Sequence, residues 1–178
     1  LACAEAGEAV PIVEHLETWP RDARRPAAIL TGPEGGFEAD RYLASVVRKK
    51  KLKELKRQRR RLQECGVVSF EELGPNDDLS EWRRDFLLLE RAGWKGRAGT
   101  ALAQCERSSR FFSEAIGCAR ERNILRMHKL SLDGRPIAMI VTFIEYGEGF
   151  SFKIAYDEAF ARFSPGVLLE LDLLKALE

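Results

Sequence analysis

The chain has little of what membrane, disulfide-rich or metal-binding proteins need. No run of about 18 apolar residues occurs, so the sequence predicts no membrane span. Its first residues also lack the layout of a signal peptide. The four cysteines form no CxxC pair and have no histidine at metal-ligand spacing: Cys3, Cys65, Cys105 and Cys118. We therefore expect reduced thiols, a cytoplasmic protein and no metal site.

The length of the chain suits one globular domain, or one domain with a small appendage. It has 178 residues, of which 45% are hydrophobic, and this is enough for one globular core. The chain begins with Leu1 instead of Met and ends inside a helical pattern at Glu178, so we expect it to be part of a longer protein.

A large excess of positive charge occurs in one segment only. The net charge is +1, yet the segment from Arg48 to Arg61 holds ten Lys or Arg and one Glu and carries +9. The other residues must then carry −8, the difference between these two values. This distribution excludes a generally basic nucleic-acid binder and indicates one basic helix on an acidic body.

Leucines and valines at helical spacing place this basic helix over Asp40 to Glu64. One interpretation is binding to RNA, phospholipid or an acidic carrier. The other, which we favour, is a long solvated helix that links two halves of a larger protein. A nucleic-acid partner is not expected, although the basic segment leaves it open.

The central part of the chain has a regular order of elements. The pattern of apolar residues predicts strand, helix, glycine-rich connection, helix and three strands, over residues 67–73, 79–91, 92–100, 103–122, 124–132, 136–146 and 149–156. Asp133-Gly134 and Gly147-Glu148-Gly149 form the turns between the last three strands, which predicts an antiparallel meander. The middle strand, IAMIVTFI, is apolar on both faces and should lie centrally.

A helix follows the last strand after a short loop. Ser164 is placed to cap it and Pro165 suits its first position. The backbone N–H groups of Gly166 and Val167 would be free to bind an anion, Gly166 has no side chain to block a ligand, and Arg162 would add a positive charge. The stretch is therefore either a phosphate cradle or an ordinary capped helix that packs on a sheet.

Residues 1–38 have a different texture and a resemblance of their own. The stretches CAEAGEAVPIVEHLETWP and RRPAAILTGPEGGF resemble part of the knotted methyltransferase domain of bacterial RsmE-type rRNA uridine methyltransferases. The resemblance implies that Gly32, Glu34, Gly35 and Gly36 match a loop of the S-adenosylmethionine site. The alternative is an ordinary strand and turn that lead into the next domain.

The rest of the chain resembles a second family. The segments KKKLKELKRQRRRLQECGVVSFE, FLLLERAGWKGRAGTAL, LDGRPIAMIVTF and SFKIAYDEAFARFSPGVLLE resemble the GNAT-like domain of bacterial CelD-type cellulose-biosynthesis proteins. The resemblance implies an α/β (α+β) GNAT-like acyltransferase fold, with a mixed sheet that contains an antiparallel meander flanked by helices and lacks the C-terminal strands. We therefore divide the chain into a methyltransferase-like appendage at 1–38, a basic linker helix at 39–66 and a GNAT-like domain at 67–178.

The second resemblance also implies a donor site. Such enzymes move an acyl group from a thioester, usually acetyl-CoA or another acyl-CoA, to an amine or hydroxyl acceptor. The pantetheine would lie near Ile154, Ala155 and Tyr156. The pyrophosphate would lie at the loop and helix start, on Arg162, Phe163, Ser164, Gly166 and Val167. Pro165 stands where the usual loop pattern has a glycine, which departs from the family's pattern.

Catalytic candidates stand at the end of the last strand. Asp157 and Glu158 could act as base, and Tyr156 could protonate the leaving thiolate. Lys153 shares a face with Asp157, so the two could simply form an ion pair. Glu145 and Tyr146, which end the neighbouring strand, are second-rank candidates, and His128 on a strand is more typical of a satisfied core or surface residue.

Three functions are compatible with these residues. The first is an acyltransferase with a small-molecule donor and an unknown acceptor, in polysaccharide or cell-envelope biosynthesis. The second is a non-catalytic GNAT-like domain that serves as a scaffold or binds a carrier. The third is a fragment of an S-adenosylmethionine-dependent rRNA methyltransferase.

Overall fold

The computed structural model describes residues 29–31, 38–146 and 148–176. The methyltransferase-like loop and most of the N-terminal appendage lie outside the described residues. The helices are α1 (Ala39–Val46), α2 (Lys49–Gln63), α3 (Leu79–Ala92), the short α4 (Trp94–Arg97), α5 (Glu106–Glu121) and α6 (Pro165–Ala176). The strands are β1 (Ile29–Thr31), β2 (Val68–Glu72), β3 (Leu125–Leu132), β4 (Arg135–Glu145) and β5 (Glu148–Tyr156).

Four long strands form an antiparallel sheet, and β1 adds a short fifth strand at its edge. The order is β1-β5-β4-β3-β2, and every pairing between described strands is antiparallel. The predicted meander of β3, β4 and β5 is confirmed. Its first turn uses Asp133 and Gly134 with φ of 49° and 78°, the conformation that a tight two-residue hairpin requires.

β4 lies at the centre of the sheet, as its sequence predicts. All its residues from Ile137 to Phe143 are buried. On one face, α3 and α5 pack through Trp82, Phe86, Phe112 and Ile116. On the other face, α2 and α6 pack through Leu55, Leu62, Leu168, Leu169 and Leu173. We call these the α3/α5 face and the α2/α6 face.

The basic segment is not one continuous helix. Val47 and Arg48 are extended, with ψ of 129° and 135°, and they separate α1 from α2. Both α1 and α2 pack against α6. A straight helix of 25 residues would be about 37 Å long, whereas α6 is only about 18 Å long. The bend lets both segments contact α6. Leu55 and Leu62 are buried in the core, so α2 packs on the sheet through its apolar side and is solvated on its other side.

The predicted glycine-rich connection also contains more structure than expected. It includes α4, and a 3-10 turn, Leu102–Gln104, follows it, so that α5 begins at Glu106 instead of Ala103. Gln104 Nε2 donates a hydrogen bond of 2.8 Å to the Gly96 carbonyl, which holds the two turns together.

None of the helices in the described ranges is long and apolar enough to cross a membrane.

Candidate functional site

A loop joins β5 to α6 at one corner of the sheet. We call residues 157–167 the β5–α6 loop. The Asp157 carboxylate accepts a hydrogen bond of 2.9 Å from the Ala159 N–H and thereby caps a 3-10 helix, Glu158–Phe163. Ser164 ends this helix with its backbone in the left-handed region, at φ 53° and ψ 52°. The loop is therefore ordered by its own hydrogen bonds and by one unusual backbone conformation.

The left-handed serine makes α6 begin abruptly. A non-glycine residue in this region costs on the order of 1 kcal/mol, so its surroundings must hold it. Ser164 does occupy the cap position, because its carbonyl accepts the Leu168 N–H at 3.0 Å, but it is not the extended cap that its sequence predicts. The N–H groups of Gly166 and Val167 lie in the first helical turn, which has no partners within the helix. Together with the helix dipole they suit an anion such as a phosphate.

The outer edge of β5 is open next to this loop. The Asp157 N–H donates to the Ile137 carbonyl at 2.8 Å, and Ile154 lies opposite Ile140. Because hydrogen-bonded residues alternate along an antiparallel pair, Ile154 and Tyr156 direct their N–H and C=O groups away from β4. Among the described residues, β1 covers this edge only from Glu148 to Phe150. An extended ligand with amide groups can pair with the free part.

Side chains of β5 divide between the two faces of the sheet. Ala155 packs on the α3/α5 face, whereas Ile154 and Tyr156 pack on the α2/α6 face. A Cβ atom on Gly166 would lie 3.2 Å from Ile154 Cδ1 and 3.8 Å from Tyr156 Cδ1. Gly166 therefore lets α6 approach β5 closely. This packing role differs from the ligand access that the sequence suggests for it.

Both carboxylates at the end of β5 are engaged by arginines. Asp157 is 14% exposed and forms an ion pair of 2.5 Å with Arg135. The structure thus pairs Asp157 with Arg135 and places Lys153 Nζ 3.9 Å from Glu90, in place of the predicted pair between Lys153 and Asp157.

Glu158 fastens α4 to the loop. Its Oε1 accepts the Trp94 N–H at 2.7 Å, and its Oε2 accepts a hydrogen bond of 2.5 Å from Arg97. The Arg97 guanidinium, helped by the Trp94 N–H, holds the pKa of this carboxyl below its usual value. Trp94 and Arg97 thus pin the connection to the β5–α6 loop.

A buried carboxylate that the sequence analysis overlooked lies beside the free edge of β5. Glu90 is 3% exposed, and its Oε1 pairs with Lys95 Nζ at 3.0 Å while its Oε2 accepts the Leu102 N–H at 2.8 Å. Its spacing from Trp82 and Phe86, both on the buried face of α3, is the signal that could have revealed it.

Lys95 connects this carboxylate to the strand edge. Its Nζ lies 3.4 Å from the Ile154 carbonyl oxygen, one of the groups that point away from β4. A single ammonium group thus contacts both Glu90 and the free edge of β5. A ligand that paired with the Ile154 carbonyl would displace this contact.

The basic helix α2 borders the other side of the loop. Gln58 Nε2 donates to the Arg162 carbonyl at 3.3 Å, and Arg59 reaches the Leu168 carbonyl at 3.2 Å and Asp172 at 2.6 Å. The Arg162 guanidinium lies 4.6 Å from the centre of the Phe163 ring. A groove of about 410 Å³ runs between α2 and the loop; its lining includes Arg57, Arg61 and Arg162.

Other candidates from the sequence lie elsewhere. In the backbone register of β4 and β5, Glu145 lies opposite Glu148 next to the turn. Because the two strands are antiparallel, this turn is at the end of the sheet opposite the β5–α6 loop. Tyr146 is 94% exposed at the same turn. His128 is 2% exposed, and its burial lowers its pKa, as expected for a core residue.

Metal-binding chemistry has no visible support in the described ranges. They contain no group of three or more His, Cys, Asp or Glu side chains that could hold a metal ion.

Comparison with known proteins gives one family. The model of the family described as "Acetyltransferase (GNAT) domain" matches residues 49–178, which include α2 and all four long strands. Comparison with curated proteins finds no match. Since the family match covers well over half of the chain, the protein belongs to the acetyltransferase (GNAT) domain family.

Proposed function

We propose that the protein transfers an acyl group from a thioester donor, such as acetyl-CoA, to an amine or hydroxyl acceptor. The observation that carries this proposal is the corner where the free edge of β5 leads through the β5–α6 loop to the positive end of α6. An extended arm with amide groups fits the edge, and a phosphate at the end of that arm fits the loop. Pantetheine thioesters have this order of groups.

The donor would contact two parts of this corner. Its amides would pair with the outward groups of Ile154 and Tyr156, next to Ala155. Its phosphates would lie at the β5–α6 loop, on the N–H groups of Gly166 and Val167 beside Ser164, with the side chains of Arg162 and Phe163 at the rim. Pro165 has no N–H to give, so Gly166 and Val167 would carry the backbone contacts of the first turn.

Catalysis would take place at the end of β5. The acceptor nitrogen or oxygen forms a bond with the thioester carbonyl carbon, the carbon–sulfur bond breaks, and the acceptor proton leaves to a base. We propose Tyr156 as the acid that protonates the leaving thiolate and Asp157 as the base. Glu158 is the weaker candidate base, because its pKa is lowered and its two oxygens hold Trp94 and Arg97.

The acceptor and pathway are inferred from the resemblance to CelD-type proteins. That resemblance suggests an acceptor in bacterial polysaccharide or cell-envelope biosynthesis.

The test measures acetyl-CoA binding by calorimetry and acyl transfer by mass spectrometry with a panel of amines and hydroxyl compounds. We expect Tyr156→Phe to lower turnover while acetyl-CoA affinity stays unchanged. Tyr146→Phe is the matched control, because Tyr146 is exposed at the opposite end of the sheet. Absence of both acetyl-CoA binding and transfer in the wild-type protein would refute the proposal.

A second pair of variants separates chemistry from structure at Asp157. Asp157→Asn removes the base and weakens the ion pair, whereas Arg135→Ala removes the ion pair and keeps the carboxylate. If Asp157 is the base, only Asp157→Asn lowers turnover strongly. Equal effects of the two variants would mean that the carboxylate only holds the loop.

A non-catalytic scaffold is the second candidate, and one observation favours it. Lys95 already contacts the Ile154 carbonyl that a donor would use. Acetyl-CoA binding without transfer to any acceptor would support this candidate. The methyltransferase alternative rests on residues 31–37, which lie almost wholly outside the described ranges, and calorimetry with S-adenosylmethionine tests it.

A further inference from the structure

The exposed face of α2 carries far more positive charge than the fold uses. Eight cations of this helix are exposed, and we call them the basic strip: Lys49, Lys50, Lys51, Lys53, Lys56, Arg57, Arg60 and Arg61. Within the described part of the chain, Arg57 pairs with Glu54 and Arg60 with Glu64, and the other six form no ion pair. Like charges four residues apart repel each other along this helix. The fold therefore carries a repulsive surface that its own contacts do not explain.

The position of the basic strip ties it to the candidate donor site. Leu55 and Leu62 anchor α2 in the core, and Gln58 and Arg59 hold it against the β5–α6 loop and α6. Arg57 and Arg61 line the groove that leads to Arg162. A partner bound to the basic strip would stand immediately beside the loop.

Two kinds of polyanion fit the basic strip poorly. A helix that lies on a lipid surface inserts its apolar side chains, but those of α2 that are buried, Leu55 and Leu62, face the protein core. Proteins that bind single-stranded nucleic acid stack bases on aromatic side chains, and α2 contains none from Lys49 to Gln63. An acidic protein surface requires neither of these features.

The length of the basic strip favours a protein as its ligand over a free nucleotide. Lys49 and Arg61 lie about 18 Å apart along the helix axis, which is more than three turns. A single nucleotide at the groove would reach only the end near Arg57 and Arg61. The cations at Lys49 and Lys53 have no role in binding such a small ligand.

We propose that the basic strip docks an acidic carrier protein, which presents the acyl group as a thioester on a phosphopantetheine arm. The inference rests on the proposed acyl transfer and names the source of its donor. The arm would leave the carrier beside Arg57 and Arg61, place its phosphate at the β5–α6 loop and pair with the free edge of β5. In the docked complex, the acidic side chains of the carrier would balance the positive charges of α2.

The test compares two triple variants of the full chain. Lys49→Glu, Lys53→Glu and Lys56→Glu reverse one stripe of the basic strip without touching the groove lining. Arg84→Glu, Arg107→Glu and Arg110→Glu reverse three exposed cations of α3 and α5, on the other face of the sheet. The probes are a purified acidic acyl carrier protein loaded with acetyl-phosphopantetheine, acetyl-CoA and a single-stranded RNA of about 20 nucleotides. Affinities are measured at about 50 and about 300 mM salt, and melting curves confirm folding.

We expect the α2 variant to bind the loaded carrier about tenfold or more weakly at low salt, with a smaller difference at high salt. It should bind acetyl-CoA as the wild type does, and the α3/α5 variant should bind the carrier as the wild type does. Equal carrier affinity in all three proteins, equal losses in both variants, or tighter binding of RNA than of carrier would overturn the inference. If the wild type binds acetyl-CoA but not the carrier, only this inference fails. If it binds neither, the proposed function fails as well.

Discussion

Replacement of Glu90 by glutamine should destabilise the fold measurably. The Glu90 side chain is 1% exposed and pairs with Lys95, which is 23% exposed. Glutamine keeps the shape and can still accept from the Leu102 N–H, but it loses the charge that balances Lys95. Breaking a fully buried pair costs about 3–5 kcal/mol. Because water reaches Lys95, we expect a loss of about 1–2 kcal/mol, which lowers the Tm by about 2–8 °C for a chain of this size.

A double-mutant cycle with Lys95→Met isolates the pair. Lys95→Met alone leaves the buried Glu90 without its nearer cation, so it should also destabilise. The double variant should lose less than the two single variants together, by about 0.5–3 kcal/mol in urea unfolding. The exposed pair Arg110 and Glu114 is the control, because solvent screens a surface pair and its coupling should be small. Additive losses at Glu90 and Lys95 would refute the reasoning.

Lys95→Met also tests the edge of β5. The variant frees the Ile154 carbonyl, which a donor amide must otherwise take from the lysine. If the proposed donor pairs with this carbonyl, acetyl-CoA should bind about two- to tenfold more tightly to the variant, because no contact has to be displaced. Weaker binding would mean that Lys95 itself holds the donor.

Three further predictions concern the loop and the core. Gly166→Ala should weaken acetyl-CoA binding, since its Cβ would lie 3.2 Å from Ile154 Cδ1 and force a small shift where α6 meets β5. Gly117→Ala should leave binding unchanged, because a Cβ there meets nothing within 4 Å, and calorimetry compares the two variants. Arg162→Ala should weaken acetyl-CoA binding about three- to fivefold at low salt and less at high salt, and a salt-independent loss would contradict a charge effect. His128 should make stability depend on pH, because burial lowers the pKa of this side chain in the folded state. In the unfolded chain its pKa is about 6.5, so below that pH the unfolded chain binds more protons than the folded one. The stability of the fold should therefore decrease as the pH drops below about 6.5. His128→Leu should flatten this dependence in melting curves, and an unchanged slope would assign it to other groups.

The sheet could be predicted because its signals are local. Alternating side chains, apolar runs and the Asp133-Gly134 turn depend only on neighbouring residues, and β3, β4 and β5 follow them. Membership of the acetyltransferase (GNAT) domain family also agrees with the GNAT-like fold expected from the sequence.

The connections could not be predicted, because distant residues hold them. α4 forms where Glu158, 64 positions away, accepts the Trp94 N–H. The bend at Val47 appears only when α6 is in place for α1 and α2 to pack on. Ser164 is left-handed although serine seldom is, because the 3-10 helix before it and α6 after it fix its conformation. The candidate base Asp157 was visible in the sequence, but its partner Arg135 was not.

The arrangement around β5 explains how donor and acceptor could reach one point without competing for space. Ile154 and Tyr156 belong to the α2/α6 face, which carries the basic strip and the groove, whereas Ala155 belongs to the α3/α5 face with Glu90 and Lys95. The sheet lies between the two faces, and both are adjacent to the uncovered part of the β5 edge. A donor held from the α2/α6 face and an acceptor that enters past α4 would therefore meet at the end of β5. This geometry predicts that variants of the β5–α6 loop change acetyl-CoA affinity, while variants around Lys95 change acceptor KM as well. The reasoning would be contradicted if the loop variants and the Lys95 variants all altered the KM of one substrate and left the KM of the other unchanged. Donor and acceptor would then bind on the same face.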